Sequence, residues 1–230
     1  MARTTFFRGW LREAAADATV MAVCILLVLA YYAFHRKRVR CDPTYSIHYV
    51  NDMTRRIWVE SVMSGTGKDI MAVQTLRNFI MHPILMVSTC ALLIVGTLTL
   101  SGQTGNIANS WHAINLGGSH SAGVWIVKIM FLLVDFLVAF FAYVIAIRLA
   151  NHVLFMINIP REAQSGNDVL SPSHVADRLI LAGKMVALGM RTLMFAIPLA
   201  FWLFGPLYLL IGTVGVVGFL SRLDRYQRGL

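Results

Sequence analysis

Residues Val124–Ile147 read VWIVKIMFLLVDFLVAFFAYVIAI, an apolar run whose only charges are Lys128 and Asp135. As a helix this run is about 36 Å long, enough to cross about 30 Å of hydrocarbon. Asp135 lies near its middle, where a carboxylate costs roughly 2.5–3.5 kcal/mol on insertion scales, so it should face protein or a watery cavity rather than lipid. At 100° per residue, Lys128, Ala139, Ala142 and Ala146 fall within about 40° of Asp135. Leu133, Phe140 and Tyr143 point elsewhere. The stripe is expected to be a helix-packing face with Asp135 as its most expensive occupant.

Composition points the same way. Of 230 residues, 57% are hydrophobic and 13% charged, with a mean hydropathy of +0.66; a soluble domain carries about twice that charge. The three cysteines, Cys24, Cys41 and Cys90, have no metal-type spacing and imply no disulfide framework. Four stretches are long enough to span a bilayer, at about 15–34, 80–100, 124–147 and 193–220. The first carries Asp17 at its start and lacks a convincing small-residue cleavage site, so it is read as a retained helix and not a signal peptide. The expected fold is all-α: a single membrane domain over 1–230, a bundle of four transmembrane helices with amphipathic interfacial helices in cytoplasmic loops at about 35–79 and 148–192.

Orientation follows the basic residues. His35–Asn78 holds Arg36, Lys37, Arg38, Arg40, Arg55, Arg56, Lys68 and Arg77, whereas Ser101–Gly123 has no charge. The first loop is therefore assigned to the cytoplasm and the second to the outside. Arg148, Arg161, Arg178, Lys184 and Arg191 place the loop after the third span in the cytoplasm too. Four spans leave both termini outside, which strains the rule, because Arg3, Arg8, Arg12, Arg222, Arg225 and Arg228 then sit on the basic-poor side. The net charge of +9 flanks membrane spans and is not interleaved with aromatics, which argues for anionic lipid headgroups and against nucleic acid.

Neither cytoplasmic loop reads as a catalytic domain. Val50, Met53 and Ile57 share a helical face, with Arg55, Arg56 and Glu60 off it, as in a helix lying in the interface. The GTGK run at 65–68 lacks the upstream glycine of a phosphate-binding loop and follows no strand. In the later loop, Ser171 as N-cap and Pro172 at the first helical position start a helix. Its apolar face is Val175, Leu179, Ala182, Val186 and Met190, with Asp177, Lys184 and Arg191 opposite. That helix runs into span four, whose Pro198, Gly205 and Gly212 continue the same stripe, either as one rod or with a bend near Gly189 or Pro198.

The run Val73, Gln74, Thr75, Leu76, Arg77, Asn78 with Ile80 and Met81, and later Gly189, Met190, Arg191 followed by Pro198, Trp202, Leu203, Phe204, Gly205 and Pro206, resembles the membrane-protein family known as domain of unknown function 599. The resemblance covers about Asn51–Asp224, with His82 and Pro83 departing from the small residues of the pattern. It implies a multispan bacterial membrane protein of this length and carries no reaction, ligand or catalytic residue.

Candidate chemistry is therefore read from the residues. Depth along the spans brings Asp17 and Lys128 to the same outer level, fit for an ion pair. Asp135 lies about 10 Å deeper than Lys128, without a charge partner at its depth. It is either a neutral group that fixes packing or, with Lys128, Asp17 and Arg191, part of a polar site for a proton, an ion or a small solute. His35, His82 and His152 all fall near the cytoplasmic ends of spans, which raises haem or metal ligation, but no HxxxH or ExxH spacing supports it. His112 and His120 read as loop residues. Met21, Met86 and Met130 near the thiols raise copper, against which stands the ordinary use of methionine as a packing residue. Neither Cys24 nor Cys90 has a histidine at its depth to generate a thiolate. No cofactor is expected. The leading expectation is a non-enzymatic subunit of a bacterial inner-membrane assembly or a homo-oligomer, its partners being the bilayer, anionic lipid and other membrane subunits or copies of itself.

Overall fold

The computed structural model describes residues 2–65, 67–102, 122–159 and 168–225, with side chains described in the first helix from residue 15 onward. The outer-loop residues His112 and His120 lie outside the described residues. Among the described residues the regular structure is helical: α1 (Ala2–Cys41), α2 (Ile47–Ser64), α3 (Asp69–Gly102), α4 (Ala122–Met156), α5 (Pro172–Trp202) and α6 (Pro206–Leu223), with short 3-10 turns at Pro43–Tyr45 and Asp168–Leu170.

Local chemistry sets the boundaries. Ser46 caps α2 by accepting the His48 N–H at 3.3 Å. At the other end of α2, Lys68 Nζ donates to the Ser61 carbonyl at 3.2 Å and its hydroxyl at 2.8 Å, satisfying an orphan carbonyl at the helix end. Asp69 then complements the positive start of α3. Ser171 accepts the His174 N–H at 3.4 Å, with Pro172 in the first turn of α5, so the start of this helix is the one expected.

The expectation of four spans is corrected to five apolar helices long enough to cross a membrane: Ala15–Cys41, Asp69–Gly102, Gly123–Met156, Pro172–Trp202 and Pro206–Leu223. The run at 193–220 is not one helix. It reverses at Leu203–Gly205, where Gly205 takes φ +151° and Pro206 opens the next helix. Glycine adopts that backbone at no steric cost, and proline cannot continue the preceding ladder. Gly189 and Pro198, the two positions named for a bend, both lie inside α5. The seven-residue stripe instead folds about its own centre, so that Pro198 and Gly212 face each other across a hairpin.

Two compact units divide the chain, and α3, α4 and α5 each contribute segments to both. The first comprises Met1–Pro43, Leu92–Leu137 and Thr192–Arg225. In it α1 and α6 run parallel: Cys24 packs with Trp202 and Leu209, and further along the Tyr31 hydroxyl donates to Asp224 Oδ2. A Cβ on Gly212 would stand 3.0 Å from the Pro198 Cα, which measures how closely α5 and α6 approach. Leu132 and Phe136 of α4 bury Ala196 of α5.

The second unit comprises Thr44–Ala91 and Val138–Arg191. Its core joins Val59, Val62 and Met63 of α2, Ala72 and Leu76 of α3, Val153 of α4 and Val175, Ala176 and Leu179 of α5. Ile80, Ala150 and Ala182 extend it. Helix α2 runs antiparallel to α5: His48 meets Arg191, Asp52 meets Lys184 at 3.4 Å, and Arg56 meets Asp177. It is thus buried on one side, while Tyr49, Met53 and Ile57 stay exposed. Arg55 lies over Gly183, where a Cβ would collide with its guanidinium, and near the Phe79 ring. Burial pushes the Arg55 guanidinium below its usual range, opposed by Asp52 at 3.5 Å.

Candidate functional site

The polar centre of the first unit is built from three helices. Asp17 of α1 is 4% exposed and Lys128 of α4 is 0% exposed, with Asp17 Oδ2 3.2 Å from Lys128 Nζ. The depth matching of the two residues in sequence corresponds to this pair. Trp202, the last residue of α5, completes it: its indole N–H donates to Asp17 Oδ1 at 3.0 Å, and its carbonyl accepts from Lys128 Nζ at 3.2 Å. The ammonium also stands 5.3 Å from the Trp202 ring centroid, and Phe131 meets that ring edge-on at 5.8 Å. Lys128 thereby neutralises a buried carboxylate, occupies the negative end of α5 and touches the face of an indole.

Trp202 was not among the candidate site residues read from sequence. Its signal was an indole donor placed in sequence just before Gly205–Pro206, the local mark of a helix end. Asp224 was missed too. It is 3% exposed and accepts from Tyr31; its signal was an acid beside arginines at the end of an apolar run.

Asp135 is half-buried, and its Oδ2 is fully buried without a hydrogen-bond partner among the described residues. It belongs to the first unit, as do Asp17, Lys128, Gly205 and Gly212. Arg191 belongs to the second unit, where its guanidinium meets His48 Nε2. Ala139, Ala142 and Ala146 are buried in that second unit. Ala150, one turn beyond Ala146, packs with Ile80 and Ala182.

The histidines are dispersed. His35 lies in the first unit, stacked on Tyr31 at 6.0 Å. His82 and His152 lie in the second, the former against the edge of Tyr143 at 6.2 Å, the latter exposed on α4. Among the described residues no group of three His, Cys, Asp or Glu side chains is gathered where it could hold a metal ion. The thiols of Cys24 and Cys90 are buried and that of Cys41 is exposed.

Residues 19–228 match the model of the family described as protein of unknown function, DUF599. The chain belongs to this family. No curated protein and no solved structure matches it. The family description assigns no reaction, so the role of a DUF599 chain rests on the side chains described above.

Proposed function

We propose that this chain is a non-enzymatic, multispan component of the bacterial cytoplasmic membrane, acting as a subunit of a membrane assembly or as a homo-oligomer. The observation that carries this reading is Asp135, whose buried Oδ2 has no partner among the described residues. An unsatisfied polar group in hydrocarbon costs several kcal/mol, and a donor from a neighbouring chain would remove that cost. Five crossings also support an orientation with the basic loops inside. The N-terminus is then external, and Arg222 and Arg225 join the cytoplasmic side, which relieves part of the strain of the four-span arrangement, Arg3, Arg8 and Arg12 staying outside. Anionic lipid is the natural counter-charge there.

The test is native mass spectrometry of protein extracted gently from its own membrane, wild type beside Asp135→Asn. Co-migrating polypeptides or a defined homo-oligomer, weakened by the substitution, support the proposal. A monomer in both samples refutes it.

A second reading is a proton or cation pathway. It is favoured by the second buried carboxylate, Asp17, paired to Lys128 on the same stripe as Asp135. In that case Asp135→Asn abolishes flux in reconstituted vesicles while the assembly persists.

A further inference from the structure

On α4, Val144, Arg148, Asn151, His152 and Phe155 lie away from the buried Tyr143, Ala146, Ala150 and Val153, and Ile147, half-buried against Ala150, borders them. These six, all on one helix, border a shallow, open depression. All belong to the second unit. The order along the helix is informative. Val144 and Ile147 end the apolar run, and Arg148 is the first charge after it. Asn151 and His152 follow one turn on, about 6 Å further along the axis, and Phe155, 77% exposed, stands beyond them. Hydrocarbon-facing side chains thus give way to a guanidinium, an amide and an imidazole at the depth of the headgroups, which occupy roughly 6 Å on each side of the core.

Two further observations narrow the occupant. None of the six lining residues is acidic. Arg148, Asn151 and His152 make no hydrogen bond or ion pair among the described residues. A guanidinium, an amide and an imidazole on one helix face match a phosphodiester, whose oxygens accept from all three while its acyl chains lie along Val144 and Ile147. A zwitterionic phospholipid carries the same phosphate but sets its own cation beside the guanidinium, which favours a headgroup of net negative charge. We infer that this depression is a binding site for one anionic phospholipid of the leaflet at the Arg148 end of α4, with the phosphate on Arg148, Asn151 and His152.

The experiment uses the full chain in detergent micelles with dioleoyl phosphatidylglycerol and dioleoyl phosphatidylcholine added in equal amounts, and bound lipid read by native mass spectrometry. Wild type is expected to retain phosphatidylglycerol preferentially, and Arg148→Gln to lower that preference about fivefold, the usual effect of one basic residue at an anionic surface. Arg148→Gln with His152→Gln should bring retention of the two lipids to parity. Arg148→Lys, which keeps the charge, should hold most of the preference and shows that the fold tolerates exchange at this exposed position. Arg178→Gln on α5 serves as the control for general surface charge. Equal retention of both lipids by wild type overturns the proposal, as does an undiminished preference in the double variant or an equal loss in Arg178→Gln. Displacement of the lipid by millimolar inorganic phosphate also overturns it, because it assigns the depression to a soluble anion.

Discussion

Replacing Lys128 by methionine removes one charge from the interior of the first unit and leaves the other behind. The pair stands 3.2 Å apart; at an effective dielectric of about 20 this separation corresponds to an attraction of about 5 kcal/mol. Much of that offsets desolvation in the wild type, so the relevant quantity is the cost of stranding Asp17, 4% exposed, without a counter-ion. Breaking one side of such a buried pair costs about 3–5 kcal/mol. Methionine fills the space of the lysine stem, which keeps the cavity contribution small. For a chain of this size 1 kcal/mol moves the melting temperature by about 2–4 °C, so Lys128→Met should lower it by roughly 6–20 °C.

In a Cys41→Ser background, which removes the one exposed thiol among the described residues, a maleimide dye that fluoresces on thiol exposure reads the transition, because Cys24 is buried against Trp202 in the same unit. The double variant Asp17→Asn, Lys128→Met strands no charge, and its amide oxygen can still accept from the Trp202 indole. It should recover most of the loss. A single variant within about 0.5 kcal/mol of wild type, or a double variant no better than the single, would refute the assignment of this cluster as a charge-balanced pin.

Other expectations concern the hairpin, the topology and the second unit. Gly205→Ala forces a Cβ onto a backbone at φ +151° and should cost about 1–3 kcal/mol in the same thermal assay. Gly212→Val drives side-chain atoms into the Pro198 backbone, already 3.0 Å from an ideal Cβ, and should cost about 1–3 kcal/mol through overpacking, with Gly215→Val, whose Cβ meets nothing within 4 Å, as the mild control. A fluorescent-protein fusion at the C-terminus should fluoresce and an alkaline phosphatase fusion there stay inactive, as five crossings with an external N-terminus require; the opposite pattern overturns that topology. Asp177→Ala removes an ion pair whose partners are 43% and 61% exposed, and should change stability by less than about 1 kcal/mol.

Sequence logic reached the membrane class, the all-helical architecture and the Asp17–Lys128 pair because each depends on period and depth, which a helix of fixed rise converts directly into position. It failed at the 203–205 reversal because hydropathy averages over about 19 residues and three apolar residues of turn leave no dip. Length held the missing clue: one rod from Pro172 to Leu223 would run about 78 Å, far more than a bilayer and its headgroups need. The docking of α2 on α5 was invisible for another reason. Val50, Met53 and Ile57 form a convincing apolar face, and the face that is buried combines Val59, Val62 and Met63 with contacts made by charged residues. Those pairings exist only once Asp177, Lys184 and Arg191 are brought alongside, and no periodicity within one helix reports its partner.

The parallel packing of α1 on α6 joins the first membrane helix to the last. At about 5–20 residues per second of synthesis, the ribosome delivers Pro206–Leu223 roughly 10–40 seconds after Asp17 has emerged. Through that interval the N-terminal helix has neither the indole of Trp202 nor the apolar face of Leu209 to hold it. The nascent chain must therefore be sheltered at the insertion machinery, or wait loosely in the lipid, until its own C-terminal hairpin arrives. Truncation anywhere before Pro206 should leave a quality-control substrate.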